Sequence, residues 1–442
     1  MENRYEKYKD SGIAWIGNIP EHWEVRRMKS IYNFGKGLNI TKADLVDKGI
    51  SVISYGQIHS KLNTGTCIKD SLIKYVPEIF LENNNASLVK KGDIIFADTS
   101  EDLEGCGNCI YIDRDMLLYA GYHTIIAKNI STFINKYFSY LFQTDCWRSQ
   151  IRKTVNGVKL FSIPQRLLAS TDIITPSTQE QQSIATYLDQ KCGEIDELIT
   201  MQEEMITKLQ SYKQSVITEA VTKGLDKNVP LKDSGIEWIG KIPEHWDVKR
   251  LKYFGNNYNG LTYSPNDICN SQEGTIVLRS SNIKDNKLCF DDNVYVNKEI
   301  PTKLFVNKGD ILICSRNGSA SLIGKAALIE TDIKATFGAF MMIFKGNNIH
   351  HKYLYYIVTS CISQYKWLFT TATINQLTSS MLGEIFAPFI CDRLEQQSIA
   401  DYLDQKCSEI DELISIKQQK IEKLKDYKKS LIFECVTGKR KV

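Results

Sequence analysis

The chain has 442 residues, which is enough for two to four domains, and its formal net charge is only +3. Hydrophobic residues make up 43% of it and charged residues 24%, a composition typical of a globular protein with buried cores. The charge balance is compatible with a nucleic-acid partner but does not single one out. No run approaches the roughly 18 apolar residues of a membrane span, and the polar N-terminal segment does not resemble a secretory signal, so we expect no membrane contact.

The twelve cysteines are scattered along the chain, mostly among apolar residues. This distribution indicates buried thiols in the reducing cytoplasm, where we expect the protein to be located. The pair Cys106 and Cys109 has the spacing of half a zinc site, but no second pair lies nearby. We therefore predict no metal site.

The first element of the chain is a motif that returns in its second half. Residues 9–29 read KDSGIAWIGNIPEHWEVRRMK and residues 232–252 read KDSGIEWIGKIPEHWDVKRLK, so 16 of 21 positions are identical. An offset of 223 residues indicates a duplicated molecule rather than a solenoid. Each copy carries two tryptophans, which we expect to pack a domain onto the helices described below: Trp15, Trp23, Trp238 and Trp246.

A segment of divergent sequence follows each copy of this motif. Short apolar runs bounded by Gly, Asn and Asp, such as residues 93–97 and 310–314, predict strands. Each segment also predicts one helix towards its end, over residues 135–151 and 352–367. The divergent segments are therefore expected to form mixed α/β domains.

A second repeated motif begins after each divergent segment. Residues 180–199 read EQQSIATYLDQKCGEIDELI and residues 395–414 read EQQSIADYLDQKCSEIDELI, with 18 of 20 positions identical. Apolar residues recur with an imperfect heptad period through the following residues and predict two long helices that pack on each other antiparallel. The predicted packing positions are Ile195, Leu198, Ile199, Leu209, Tyr212, Val216, Ile410, Leu413, Ile414, Leu424, Tyr427 and Leu431.

Together these elements predict an α+β fold with four parts. Two mixed α/β domains, residues 1–178 and 227–392, are expected in a pseudo-two-fold arrangement. Two antiparallel coiled-coil helices, a central spacer over residues 179–226 and a C-terminal spacer over residues 393–442, would separate them. Nearly identical helices combined with divergent domains are typical of a modular DNA-binding protein, in which each domain contacts a few bases of one DNA half-site.

The polar loop tips that follow the predicted strands are the candidate base-reading residues, because Arg, Asn, Gln and Ser side chains can bond to base edges. Ordinary solvated loops have the same polarity, so both interpretations stay open for any single residue. In the first domain the candidates are Tyr55, Gln57, Thr99 and Ser100, with Lys36 as a possible phosphate contact. In the second domain they are Arg279, Ser280, Asn282, Arg316, Asn317 and Ser319.

The two repeated motifs resemble those of the specificity subunits of type I restriction–modification systems. The Gly-x-Ile-Pro-x-x-Trp element stands at residues 17–23 and 240–246, and the Glu-Gln-x-x-Ile-Ala-x-x-Leu-Asp element at residues 180–189 and 395–404. The resemblance covers essentially the whole chain. It implies that the two mixed α/β domains are target-recognition domains, and that the chain is a non-catalytic subunit that binds a bipartite, asymmetric site in double-stranded DNA.

The same resemblance implies partners. Two methyltransferase subunits are expected to dock on the conserved helices, and restriction subunits with motor and nuclease activity would join the assembly. S-adenosylmethionine, ATP and magnesium would then be bound by those partners, and this chain would hold no cofactor.

Two alternatives have their own sequence requirements. A stand-alone nuclease or methyltransferase would need a carboxylate–lysine metal site or a cofactor loop, and the sequence carries neither, so no catalytic residue is predicted. A coiled-coil scaffold or adaptor without DNA specificity would satisfy the helices alone. It predicts no base preference in a DNA selection.

Overall fold

The computed structural model describes residues 4–82, 84–155, 157, 160–271, 273–369 and 375–442. Its contacts divide the chain into two compact units. Unit 1 comprises Met1–Gln202 with Gln419–Val442, and unit 2 comprises Glu203–Gln418. Each of the two long helices therefore gives one half to each unit.

Unit 1 is a mixture of short strands and helices. Its strands are β1 (Tyr8–Asp10), β2 (Asn18–Pro20), β3 (Glu24–Arg27), β4 (Tyr32–Lys36), β5 (Ile50–Ile53), β6 (Lys74–Val76), β7 (Leu88–Val89), β8 (Ile94–Ala97), β9 (Thr99–Ser100), β10 (Cys109–Tyr111), β11 (Leu118–Ala120), β12 (Thr124–Asn129), β13 (Phe161–Ser162) and β14 (Asp172–Thr175). Its helices are α1 (Tyr55–Ile58), α2 (Asn135–Leu141), α3 (Asp145–Arg152), α4 (Gln165–Ser170) and the first half of α5 (Thr178–Lys223).

Two four-stranded sheets organise unit 1. One is antiparallel with the order β10-β8-β12-β4, and the other has the order β6-β5-β11-β7, with β11 parallel to β5. Strand β8 is buried on both faces: Ile94 and Phe96 pack into the core beneath α2 and α3, whereas Ile95 and Ala97 pack into the core with β5 and β11. This two-sided burial explains the uninterrupted apolar run of β8 and fixes the loop at its end.

Unit 2 repeats this plan. Its strands are β15 (Leu231–Asp233), β16 (Lys241–Pro243), β17 (Asp247–Arg250), β18 (Gly255–Asn259), β19 (Ile268–Cys269), β20 (Thr275–Leu278), β21 (Ile283–Lys284), β22 (Lys287–Leu288), β23 (Val294–Val296), β24 (Ile311–Cys314), β25 (Ala326–Leu328), β26 (Ala335–Phe337), β27 (Met341–Gly346) and β28 (Phe386–Phe389). Its helices are α6 (His351–Gln364), α7 (Ser379–Glu384) and the first half of α8 (Arg393–Val436).

The sheets of unit 2 have nearly the same topology as those of unit 1. The antiparallel order β18-β27-β24-β25 matches β4-β12-β8-β10, and β26 runs parallel to β20 as β11 does to β5. The sheets differ at their edges, where β7 extends the mixed sheet of unit 1 and β19 that of unit 2. The prediction of two mixed helix–sheet domains joined by long helices is confirmed.

One helix differs from the sequence-based prediction. The helix expected over residues 135–151 is two helices, because α2 ends at Leu141 and α3 begins at Asp145. The Thr144 hydroxyl accepts a hydrogen bond from the backbone N–H of Trp147 at 3.4 Å and so caps the start of α3. A threonine in an apolar helical pattern does not by itself reveal this break.

The helices α5 and α8 have 46 and 44 residues, and their halves pack antiparallel in each unit. In unit 1, Arg440 lies over the Tyr187 ring, and Lys428 Nζ is 2.7 Å from an Asp196 carboxylate oxygen. The residue number of the contacting partner therefore decreases along α5, as antiparallel packing requires. In unit 2, Lys213 pairs with Asp411 at 2.6 Å, and Gly224 at the end of α5 lies beside Glu395 near the start of α8.

The packing stripe is shifted from the predicted heptad positions. Ile195, Val216, Ile410 and Leu431 are buried, and Ile199, Leu209, Ile414 and Leu424 are half-buried. Four of the predicted packing residues, Leu198, Tyr212, Leu413 and Tyr427, are instead 41% to 58% exposed, and all four are d positions when Ile195 and Ile410 are taken as heptad position a. With Ile195 taken as a, the buried stripe follows a and e, because the helices bury residues against the β-rich parts of each unit as well as against each other.

Candidate nucleic-acid interface

The two repeated motifs meet each other in the folded chain. The buried Trp23 indole Nε1 donates a hydrogen bond to Glu180 Oε1 at 3.2 Å, and Trp246 Nε1 donates to Glu395 Oε1 at 3.0 Å. In both units the neighbouring histidine also contacts this carboxylate. Burial acts to raise the pKa of Glu180, but hydrogen bonds from the first motif and from a nearby serine outweigh it and lower the pKa.

A glutamine in the second motif ties each long helix to the neighbouring loops. The buried Gln181 side chain accepts from Ile134 N and donates to Pro176 O, both at 2.8 Å. Gln396 accepts from His350 N at 2.8 Å and donates at 2.8 Å to a carbonyl just after β28. Each glutamine therefore satisfies two backbone groups that would otherwise be without a partner.

An aspartate in the second motif of each unit contacts a helix that lies earlier in the chain, α2 in unit 1 and α6 in unit 2. Asp189 accepts from the Tyr140 hydroxyl at 2.6 Å and pairs with Lys136 at 2.9 Å. Asp404 accepts from the Tyr356 hydroxyl at 2.8 Å and pairs with a lysine of α6. Burial and the Asp189 carboxylate both raise the pKa of Tyr140. The repeated residues thus have structural roles, and the divergent loops are left to contact a ligand.

Most of the polar side chains predicted to contact bases in unit 1 are buried or hydrogen-bonded within their own loops. Gln57 Oε1 accepts from the Ser54 backbone N–H at 3.0 Å at the start of α1. Thr99 and Ser100 are buried, and the Ser100 hydroxyl donates to a backbone carbonyl at 2.7 Å. Lys36 is exposed at the end of β4. These positions leave Lys36 and the half-exposed Tyr55 accessible, but not Ser100.

Three loops of unit 1 meet in one aromatic cluster. The Tyr55 ring lies edge-on to the rings of Tyr122 and His123, with centroids 5.5 Å away in both cases. His123 Nδ1 is 3.2 Å from Asp98 Oδ1, and that carboxylate oxygen also accepts from the Thr99 hydroxyl at 2.5 Å. The cluster joins the loops after β5, after β8 and between β11 and β12. The sequence-based prediction included Tyr55 and Thr99 but missed Tyr122 and His123.

Two of the predicted base-contacting side chains in unit 2 are also bonded to other residues of the same unit. Arg279 Nη2 is 2.8 Å from Asp292 Oδ2. Asn282 is fully buried, and its Nδ2 donates to the carbonyl oxygens of Cys289 at 3.0 Å and Asp292 at 3.2 Å. Asn282 therefore shapes its loop and is not accessible to a base.

The other candidates of unit 2 lie together at a loop surface. Asn317 Nδ2 contacts Ser280 Oγ at 3.5 Å, which joins the loops after β20 and β24, and Ser319 is exposed nearby. The Arg316 guanidinium lies 5.6 Å from the ring centroid of Phe340, a phenyl group that is 62% exposed. Phe340 was missed because an apolar residue before an apolar strand reads as core.

The described residues contain no group of three or more His, Cys, Asp or Glu side chains that could hold a metal ion. Both thiols of the Cys106 and Cys109 pair are buried, and burial raises the pKa of Cys109 to about 12. Among the residues that the structure describes, no helix is long and apolar enough to cross a bilayer.

Comparison with known proteins gives a consistent family. A family model described as the type I restriction modification DNA specificity domain matches residues 20–208 and again 243–426. A relative from Methanocaldococcus jannaschii carries the name of the specificity subunit of the type I restriction enzyme MjaX. It is 26% identical to this chain over 97% of this chain and 96% of its own length. The EcoKI specificity subunit of Escherichia coli is 26% identical over 45% of this chain and 44% of that protein.

A solved structure supports the fold. It comes from work on complex assembly and conformational transition of the type I R-M system, and it superposes with a TM-score of 0.71 at 14% identity over 95% of this chain and 98% of that one. The family model covers most of the chain in two copies, which match its internal duplication. This chain belongs to the family of type I restriction–modification DNA specificity subunits.

Proposed function

We propose that each unit reads one half-site of a bipartite, asymmetric site in double-stranded DNA. The observation that carries this proposal is the contrast between fixed anchors and unlike loops. Trp23 and Trp246 make the same contact in the two units, whereas the exposed Lys36 at the end of β4 corresponds to the exposed Asn259 at the end of β18. Different side chains on the same scaffold favour different bases, so the two half-sites should differ in sequence.

The subunit itself performs no chemistry in this proposal. Two methyltransferase subunits and the restriction subunits would supply methylation and cleavage, and would bind S-adenosylmethionine, ATP and magnesium. In each unit, exposed apolar side chains on the long helices are available to protein partners: Leu198 and Met201 in unit 1, and Leu413 and Ile416 in unit 2. The twelve free cysteines suit a reducing cytoplasm, where the DNA substrate also lies.

A binding selection tests this function. The full chain, assembled with its methyltransferase subunits, would be mixed with a library of randomised DNA duplexes, and the bound duplexes would be sequenced. We expect two short conserved half-sites of different sequence, separated by a spacer of fixed length without base preference. The methyltransferase subunits alone serve as the control and should enrich no such motif.

Assemblies that form but enrich no sequence would favour the scaffold interpretation, in which the helices organise partners without reading DNA. A single undivided motif would contradict the assignment of one half-site to each unit.

A further inference from the structure

One turn carries an outward-facing side chain at the same structural position in both units. In unit 1 it is His123, between β11 and β12, and in unit 2 it is Phe340, between β26 and β27. The His123 carbonyl accepts from the Asp98 backbone N–H at 3.1 Å, and the Phe340 carbonyl accepts from the Ser315 N–H at 3.0 Å. Each turn is thus fixed to the end of a central strand that is buried on both faces.

His123 is held in an unusual conformation. Its φ of +54° lies in the left-handed region, which residues other than glycine seldom adopt. The Asp98 carboxylate holds Nδ1, and Tyr55 supports the ring edge, yet the side chain remains 59% exposed. No described residue bonds to Nε2, which leaves that nitrogen free for a ligand. Strained backbone of this kind is concentrated at functional sites.

Phe340 presents the opposite chemistry at the equivalent place. Its phenyl ring is 62% exposed beside the Arg316 guanidinium, although the core of unit 2 begins at the next residue, Met341. Apolar contact with a thymine methyl group is one of the ways in which proteins read the major groove, and phenylalanine can make it. The adjacent guanidinium suits a neighbouring guanine or phosphate.

We propose that His123 and Phe340 are the specificity-determining side chains at one shared reading position of the two units. His123 hydrogen-bonds through Nε2 to a base edge in the first half-site. Phe340 contacts the methyl group of a thymine in the second. This inference rests on the proposed function, because it assigns residues to the reading that each unit performs.

The test uses variants that preserve the turns. His123→Gly removes the ring and relieves the left-handed backbone, and Phe340→Ala removes the phenyl group. Two variants serve as matched controls. Asn286→Gly alters another exposed residue of positive φ (61°), and Tyr253→Ala removes another exposed ring beside a cation, with Lys252 Nζ 5.7 Å from its centroid.

Each variant would be assembled with the methyltransferase subunits and passed through the same selection from randomised duplexes. We expect His123→Gly to reduce discrimination about tenfold at one position of the first half-site and to leave the second unchanged. Phe340→Ala should do the same at a thymine of the second half-site only. Both controls should keep the parent motif.

The outcomes separate this inference from the function on which it rests. If the parent assembly enriches no motif, the proposed function itself fails. If the parent reads a bipartite motif and both variants retain it in full, or lose affinity for all sequences alike, the inference is overturned. His123→Asn guards against loop damage, since asparagine tolerates a positive φ, and it should change the preferred base at the same position.

Discussion

At the scale of single residues, a pair of glutamines explains much of the second repeated motif. Gln181 and Gln396 each bridge two backbone groups that belong to separate loops. Their neighbours Gln182 and Gln397 are exposed and bond only within their own helices. Two adjacent glutamines therefore differ in role although the sequence presents them identically.

This difference gives a matched pair of substitutions. Gln181→Ala would leave the Ile134 N–H and the Pro176 carbonyl without partners in a buried site, which should lower the free energy of unfolding by about 2–4 kcal/mol. Gln182→Ala should change it by less than about 0.5 kcal/mol. Urea denaturation followed by tryptophan fluorescence would measure both. Equal effects of the two substitutions would show that the bridge is unimportant.

The sequence predicts the structural residues better than the reading residues. Trp23 and Trp246 are buried anchors, as expected, because a large aromatic side chain in a repeated motif is most easily explained by packing. Asn282, in contrast, is a base-reading type that the fold encloses, through bonds to residues up to eleven positions away. Loop polarity does not reveal such internal partners, and it does not reveal the exposure of Phe340.

At the scale of elements, helix α6 begins with a histidine cap. The His350 imidazole Nδ1 lies 3.5 Å from the Tyr353 backbone N–H and can accept from it only when that nitrogen carries no proton. Burial lowers the pKa of His350 below its ordinary value of 6.5, and the neighbouring His351 lowers it further. Arg393 of α8 and a lysine of α6 act in the same direction, and an aspartate of α8 opposes them.

The sign of the pH effect follows from these shifts. The folded chain binds protons at His350 and His351 less readily than the unfolded chain, so their contribution is complete above pH 6.5 and is lost as the pH falls below it. We expect the double variant His350→Asn, His351→Asn to lose less stability than the parent between pH 7.5 and pH 5.5. Thermal unfolding at both pH values measures this, and identical losses would contradict the account.

The long helices show the limit of a heptad pattern. Their length, their apolar period and their antiparallel packing within each unit are as predicted. The exposed d positions are not, since an a/d seam assumes that a helix packs only on its partner helix. Here Ala185 and Leu188, at positions e and a, continue the stripe into the core of unit 1, which turns Leu198 outward.

At the scale of the whole molecule, the chain is one reader built twice with different loops. The boundaries of the divergent segments are chemically equivalent in the two units, because Trp–Glu, Gln–backbone and Tyr–Asp contacts recur at each. A divergent segment moved from one unit to the other should therefore find the same anchors. Its half-site should move with it.

A chimera shows whether each divergent segment determines its own half-site. Residues 24–179 would replace residues 247–394, so that both units carry the first divergent segment, and the reciprocal chimera would carry the second segment twice. Each would be assembled with the methyltransferase subunits and its motif determined from randomised duplexes. We predict that each chimera reads two half-sites of the same base sequence, inherited from the duplicated segment. A folded chimera that still reads the original pair of unlike half-sites would contradict the account.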